Sequence, residues 1–76
     1  MARRTVRLTF RRDTLNVPVI YQIGKDYKVV TNIRRAEVKD EMGWADLDLD
    51  GEQPEIERAL DYCRSQGVEV QSLETA

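Results

Sequence analysis

Met42-Gly43-Trp44-Ala45-Asp46-Leu47-Asp48-Leu49-Asp50-Gly51 is the stretch on which the fold turns. Ala45, Leu47 and Leu49 alternate with Trp44, Asp46, Asp48 and Asp50, the two-residue period of a strand with one apolar and one charged face. Just before it, Asp40-Glu41-Met42-Gly43 supplies a turn, so this strand closes a hairpin with the segment Lys28–Lys39, which is rich in β-branched residues. The apolar phase of that segment slips between Val29/Ile33 and Ala36/Val38. A bulge near Arg34 or Arg35 reconciles the two halves.

Working outward, residues 4–11 alternate with Val6, Leu8 and Phe10 on one side, which predicts a further strand. Between it and the hairpin the period changes. Ile20, Ile23, Gly24 and Tyr27 fall at helical spacing, Asn16 is placed to cap, and Pro18 suits a first turn, so a helix is expected over about 17–26. Beyond the hairpin, Pro54 opens a second helix with Ile56, Ala59, Leu60 and Cys63 on one stripe. Gly67 ends it, and Val68-Glu69-Val70 resumes the strand period. The order β-α-β-β-α-β within 76 residues leaves room for one core and one domain, residues 1–76. It predicts an α+β ferredoxin-like sandwich: a four-stranded antiparallel sheet in order 4-1-3-2 with two helices on one face.

Composition narrows the function. The chain is 41% hydrophobic and 34% charged with a net charge of −2, and a core this small gains stability from self-association. With a single cysteine, Cys63, and no histidine, the usual ligands of zinc, iron–sulfur clusters and haem are nearly absent, so no metal and no cofactor are expected. No apolar run approaches the roughly 20 residues that span a bilayer, and Met1-Ala2-Arg3-Arg4-Thr5 does not open a signal peptide. No membrane insertion and a cytoplasmic location are the expectations. Residues 1–39 carry ten Lys/Arg against Asp13, Asp26 and Glu37, a balance of +7, whereas residues 40–76 stand at −9. The two halves attract each other.

Asp46, Asp48, Asp50 and Gly51 with Glu57 match the spacing of an EF-hand loop. On a strand, however, their carboxylates lie about 6.6 Å apart along one face and do not converge on one ion. In the order 4-1-3-2 the first and third strands are neighbours, which sets Arg7 and Arg11 beside the aspartates, with Arg34 or Arg35 outside one strand and Glu69 and Gln71 outside the other. The result is either a solvated, self-neutralising face or a self-complementary interface of Arg7, Arg11, Asp46 and Asp48. RNA is not expected, because the central strands present Thr, Arg and Asp where base-stacking aromatics belong. An acylphosphatase-like use of Arg11 or Arg12 with Asn32 lacks a glycine-rich phosphate cradle in residues 11–16, so no catalytic residues and no enzymatic activity are expected. Cys63 reads as a packed core thiol and Gly24 as a point of close packing. Asn32, a polar residue in mid-strand, reads as either an edge residue or part of a ligand site or interface.

Thr31-Asn32-Ile33-Arg34-Arg35-Ala36-Glu37-Val38, followed by the hairpin, Glu57-Arg58-Ala59-Leu60-Asp61-Tyr62 and Gln66-Gly67-Val68-Glu69-Val70, resembles the NIL domain. That family is named for an Asn-Ile-Leu triplet on the second strand, here Asn32-Ile33-Arg34. The family is best known as the C-terminal regulatory domain of the ATPase subunit in bacterial methionine ABC importers, where it dimerises and senses methionine. It also occurs as short free-standing proteins, cyanobacterial ones included, and this chain resembles that kind. The resemblance implies a non-enzymatic homodimeric sensor or adaptor linked to sulfur amino acids, with Asn32, Ile33 and Arg34 lining a methionine-like ligand or an interface. Its rival is a protein-interaction module without a small ligand, docking through the charged sheet or the edge of the second strand.

Overall fold

A computed structural model describes residues 1–11 and 18–73 of the chain. Strand β1, Ala2–Phe10, buries Val6 and Leu8 completely and turns Arg3, Thr5, Arg7 and Thr9 the other way, as its alternation predicts. Helix α1, Val19–Asp26, begins later than expected. Pro18 occupies the cap position instead of the first turn, its carbonyl accepting from the Gln22 N–H at 2.9 Å, while Asn16 lies outside the described residues. Val19 and Ile23 carry the buried face of α1, one turn apart.

Strand β2, Val29–Lys39, and strand β3, Met42–Gly51, form the hairpin through the two-residue turn Asp40-Glu41, tighter than the four-residue turn expected. Asp40 sits in the left-handed region at φ 58°, a conformation that Asp tolerates better than most residues. The expected bulge is present: the register slips between Ile33, opposite Leu47, and Arg35, opposite Asp46. Helix α2, Gln53–Ser65, has Pro54 in its first turn and packs Ile56, Ala59, Leu60 and Cys63 against the sheet, all four fully buried. Gly67 stops it at φ 85°, and the Val68 N–H reaches back to the Cys63 carbonyl at 3.1 Å. Strand β4 then runs Glu69–Ser72.

The sheet order is β2-β3-β1-β4, all neighbours antiparallel, with both helices on one face: the ferredoxin-like α+β arrangement. Val6, Leu8, Leu47 and Leu49 from the two central strands meet Ile23, Ile56 and Leu60 in the core. Close backbone approach is found at a different glycine from the one the sequence singles out. A methyl on Gly24 would meet only the Thr31 hydroxyl at 3.8 Å, ordinary contact, whereas one on Gly51 would fall 2.6 Å from the Lys28 carbonyl oxygen. Gly51 thus lets the start of β2 close onto the end of β3.

Candidate functional site

The face of the sheet without helices is an ionic layer. The two carboxylates nearest its middle, Asp46 and Asp48 on β3, are each only 4% exposed although no helix covers them. Side chains from both flanking strands fold over them. Arg7 of β1 donates to Asp46 through Nε at 2.6 Å and Nη2 at 2.9 Å, a two-pronged contact, while Arg35 of β2 approaches from the other side at 3.5 Å. Asp48 accepts from the Thr5 hydroxyl at 2.6 Å and lies 3.7 Å from Arg34. Arg3 grips Asp50 at 2.7 and 3.2 Å. The hydrogen bonds from Arg7 hold the Asp46 carboxyl below its ordinary value against the opposing effect of burial, and Arg3 does the same for Asp50.

Arg11 stands apart from this ladder. It lies past the end of β1 and pairs with Glu69 of β4 at 2.7 Å, so Arg3 takes the place beside the aspartates that the sequence assigns to Arg11. Trp44, at the other end of β3, has the Arg7 guanidinium stacked 4.4 Å from its ring centre and that of Arg35 at 5.8 Å. No local pattern in the sequence announces this stack. It arises because Trp44 and Asp46 are two residues apart on one face. Among the described residues no group of three or more His, Cys, Asp or Glu is placed to hold a metal ion, and Asp46 and Asp48 are engaged with cations and a hydroxyl instead.

The opposite face carries a different feature. Helix α1 is eight residues, about 12 Å long, whereas the eleven residues of β2 extend about 36 Å. The far half of the hairpin therefore projects beyond the helix layer. A hollow of about 270 Å³ opens there, walled by Phe10, by Val19, Ile20 and Tyr21 at the start of α1, and by Ile33, Ala36 and Val38 of β2. Tyr21, Ile33 and Val38 remain 63%, 53% and 72% exposed at its mouth. Pro18 makes no side-chain cap, and it lines the hollow together with Val19, Ile20 and Tyr21 of the first turn of α1.

The Asn32-Ile33-Arg34 triplet is divided between these places. Ile33 lines the hollow, Asn32 lies opposite Asp48 in the register of the ionic face, and Arg34, the extra residue of the bulge, also turns to Asp48. Cys63 sits in the core, and burial pushes its thiol up to about 11, far from reactive thiolate. The phosphate-loop reading falls largely on residues 12–16, outside the described residues.

A family model for the NIL domain matches residues 4–72, so nearly the whole chain is covered and it belongs to the NIL domain family. Among solved structures it is similar to the C-terminal domain of an ABC transporter/ATP-binding protein from Enterococcus faecalis, at 26% identity with a TM-score of 0.81, covering 96% of this chain and 86% of that one. A de novo designed protein, Foldit4, matches at 12% identity with a TM-score of 0.56 over 97% of both chains, a likeness of fold alone. A search of curated proteins finds no match. No helix among the described residues is long and apolar enough to cross a membrane.

Proposed function

We propose that this NIL domain is a non-enzymatic regulatory module that binds a methionine-like amino acid in the hollow between α1 and β2 and works as a dimer. The observation that carries the reading is the hollow itself: about 270 Å³, almost wholly apolar in its lining, and open beside the first turn of α1. Its volume sits just below the ~300 Å³ at which pockets for larger ligands begin, which suits an amino acid. Phe10 and Tyr21 offer aromatic surface to a thioether, and the N-terminal turn of α1, which borders the hollow, suits a carboxylate. Family membership and the similarity to an ABC transporter domain support a regulatory role over catalysis.

Titration calorimetry of the full chain with L-methionine tests this. Saturable heat is expected for methionine and not for lysine or glutamate, whose charged ends the apolar walls would strip of water. Ile33→Ala is expected to weaken the binding. Absence of heat at millimolar methionine would overturn the ligand reading and favour a protein-interaction module.

A further inference from the structure

The acids and bases of the open face are layered in depth as well as set side by side. The Asp46 and Asp48 side chains are 6% exposed, whereas those of Arg3, Arg34 and Arg35 are 65%, 53% and 72% exposed. Solvent therefore meets guanidinium groups above a floor of carboxylates. On the other side of the sheet, α2 and its cap turn Glu52, Glu57 and Asp61 to solvent. The exposed charge is thus basic on the open side and acidic on the α2 side, although the net charge of the chain is only −2.

The bulge deepens this bias. In a regular strand Arg34 and Arg35 would point to opposite faces, but the extra residue sends both to the open face, where they stand 3.7 Å from Asp48 and 3.5 Å from Asp46, beyond the usual hydrogen-bond range. Across β3, Arg3 and Arg7 hold their aspartates through Nε and Nη2, which leaves the Nη1 donors of both to another acceptor. Between the two arginine rows lies a shallow trough of about 430 Å³, bordered by Thr5 and Leu73 on one side and by Arg34 and Arg35 on the other. We propose that this trough docks an extended acidic segment of a partner protein. The inference rests on the regulatory reading and adds to it the chemistry of the target, on the face opposite the hollow. Spacing favours a peptide over nucleic acid. These arginines already meet carboxylates that recur every second residue of a strand, about 6.6 Å apart, and a segment with acids at alternate positions repeats that ladder from above. Nucleic acid would need an aromatic platform, and the Trp44 ring is taken by Arg7. Glu37 near the hairpin turn and Glu69 on β4 are exposed acids that confine the segment to the trough.

Fluorescence anisotropy of a labelled peptide of alternating Glu and Thr, titrated with the full chain at low salt, tests the docking. Saturable binding is expected, weakening as salt rises. Arg34→Gln with Arg35→Gln should weaken it roughly tenfold or more, and Arg3→Gln roughly threefold. Lys25→Gln removes an exposed cation from the helix side and should leave binding unchanged. Circular dichroism verifies each fold, and Arg3→Gln carries the test if the double variant fails to fold. Absence of saturable binding overturns the proposal, and so does an equal loss with Lys25→Gln, the mark of attraction to overall charge. A thymidine oligonucleotide of equal charge that binds more tightly than the peptide overturns it in favour of nucleic acid. Sedimentation species that grow past the dimer overturn it as well, because the acidic side of another copy then fills the trough. Methionine heat separates this docking from the ligand site. Peptide binding without methionine heat leaves the open face standing and removes the ligand, whereas methionine heat without peptide binding removes the docking alone.

Discussion

The two faces of the sheet use the same strands and solve burial in opposite ways. On the helix side, Val6, Leu8, Leu47 and Leu49 are wholly excluded from water by other apolar groups. On the open side, Asp46 and Asp48 are almost as well hidden, but the cover is made of arginine and threonine side chains drawn from neighbouring strands. The Arg7 guanidinium both satisfies Asp46 and stacks on Trp44, while that of the more exposed Arg35 approaches the same two groups. The difference is one of energetics. Apolar burial has no solvated competitor, whereas each ion pair on the open face gives up strong hydration in both partners to form, and its arginine remains in contact with water. The helix side therefore holds the fold, and the open side prevents a naked sheet from adhering to others.

Truncation should expose this contrast most strongly. Leu47→Ala, at a wholly buried position between two central strands, is expected to lower the unfolding free energy by about 2–5 kcal/mol in urea titration. A loss under 1 kcal/mol would mean that the core carries less of the stability than its burial implies. Asp46→Asn removes the two-pronged acceptor of Arg7 on the open face and should cost less than half as much in the same titration.

Acid sharpens the same comparison. The folded chain holds Asp46 below its ordinary pKa, so the unfolded chain binds more protons in the acid range and this contribution is present in full above about pH 4. It is lost as pH falls through the folded value. Melting temperature should drop below that pH more steeply in the wild type than in Asp46→Asn, and parallel curves would show that Arg7 gives the carboxylate no advantage over water.

Much of this architecture can be read along the chain, because alternation is local. The strands, the stripe of α2, the Gly67 stop and the bulge follow from the spacing of apolar residues, the bulge from a phase slip of one residue. The ionic face follows one step later, since strand order makes β1 and β3 neighbours. Which arginine meets which aspartate needs the register, and there the expectation errs: Phe10 opposite Gly43 leaves Arg11 beyond the ladder and brings Arg3 to Asp50. The hollow is less legible still. It depends on a helix shorter than the strand it packs on and on a start at Val19 set by Pro18, and neither appears as a motif. The tight glycine was equally hidden, because Gly51 approaches Lys28, twenty-three positions away in sequence.

The smallest expected effect is the one that separates the faces within a single strand. Asn32 and Ile33 are adjacent, yet alternation sends Asn32 to the open face opposite Asp48 and Ile33 to the wall of the hollow. Asn32 is exposed, and no buried side-chain polar atom among the described residues lacks a partner, so its amide is not rescuing a stranded group. Asn32→Ala should change the unfolding free energy by no more than about 0.5 kcal/mol, as is usual at exposed positions. With the ligand in the hollow, it should also leave methionine heat unchanged, while Ile33→Ala diminishes it. The opposite pattern, heat lost with Asn32→Ala and kept with Ile33→Ala, would move the ligand across the sheet to the ionic face. There the amide of Asn32 and the guanidinium of Arg34 would be the groups that meet it.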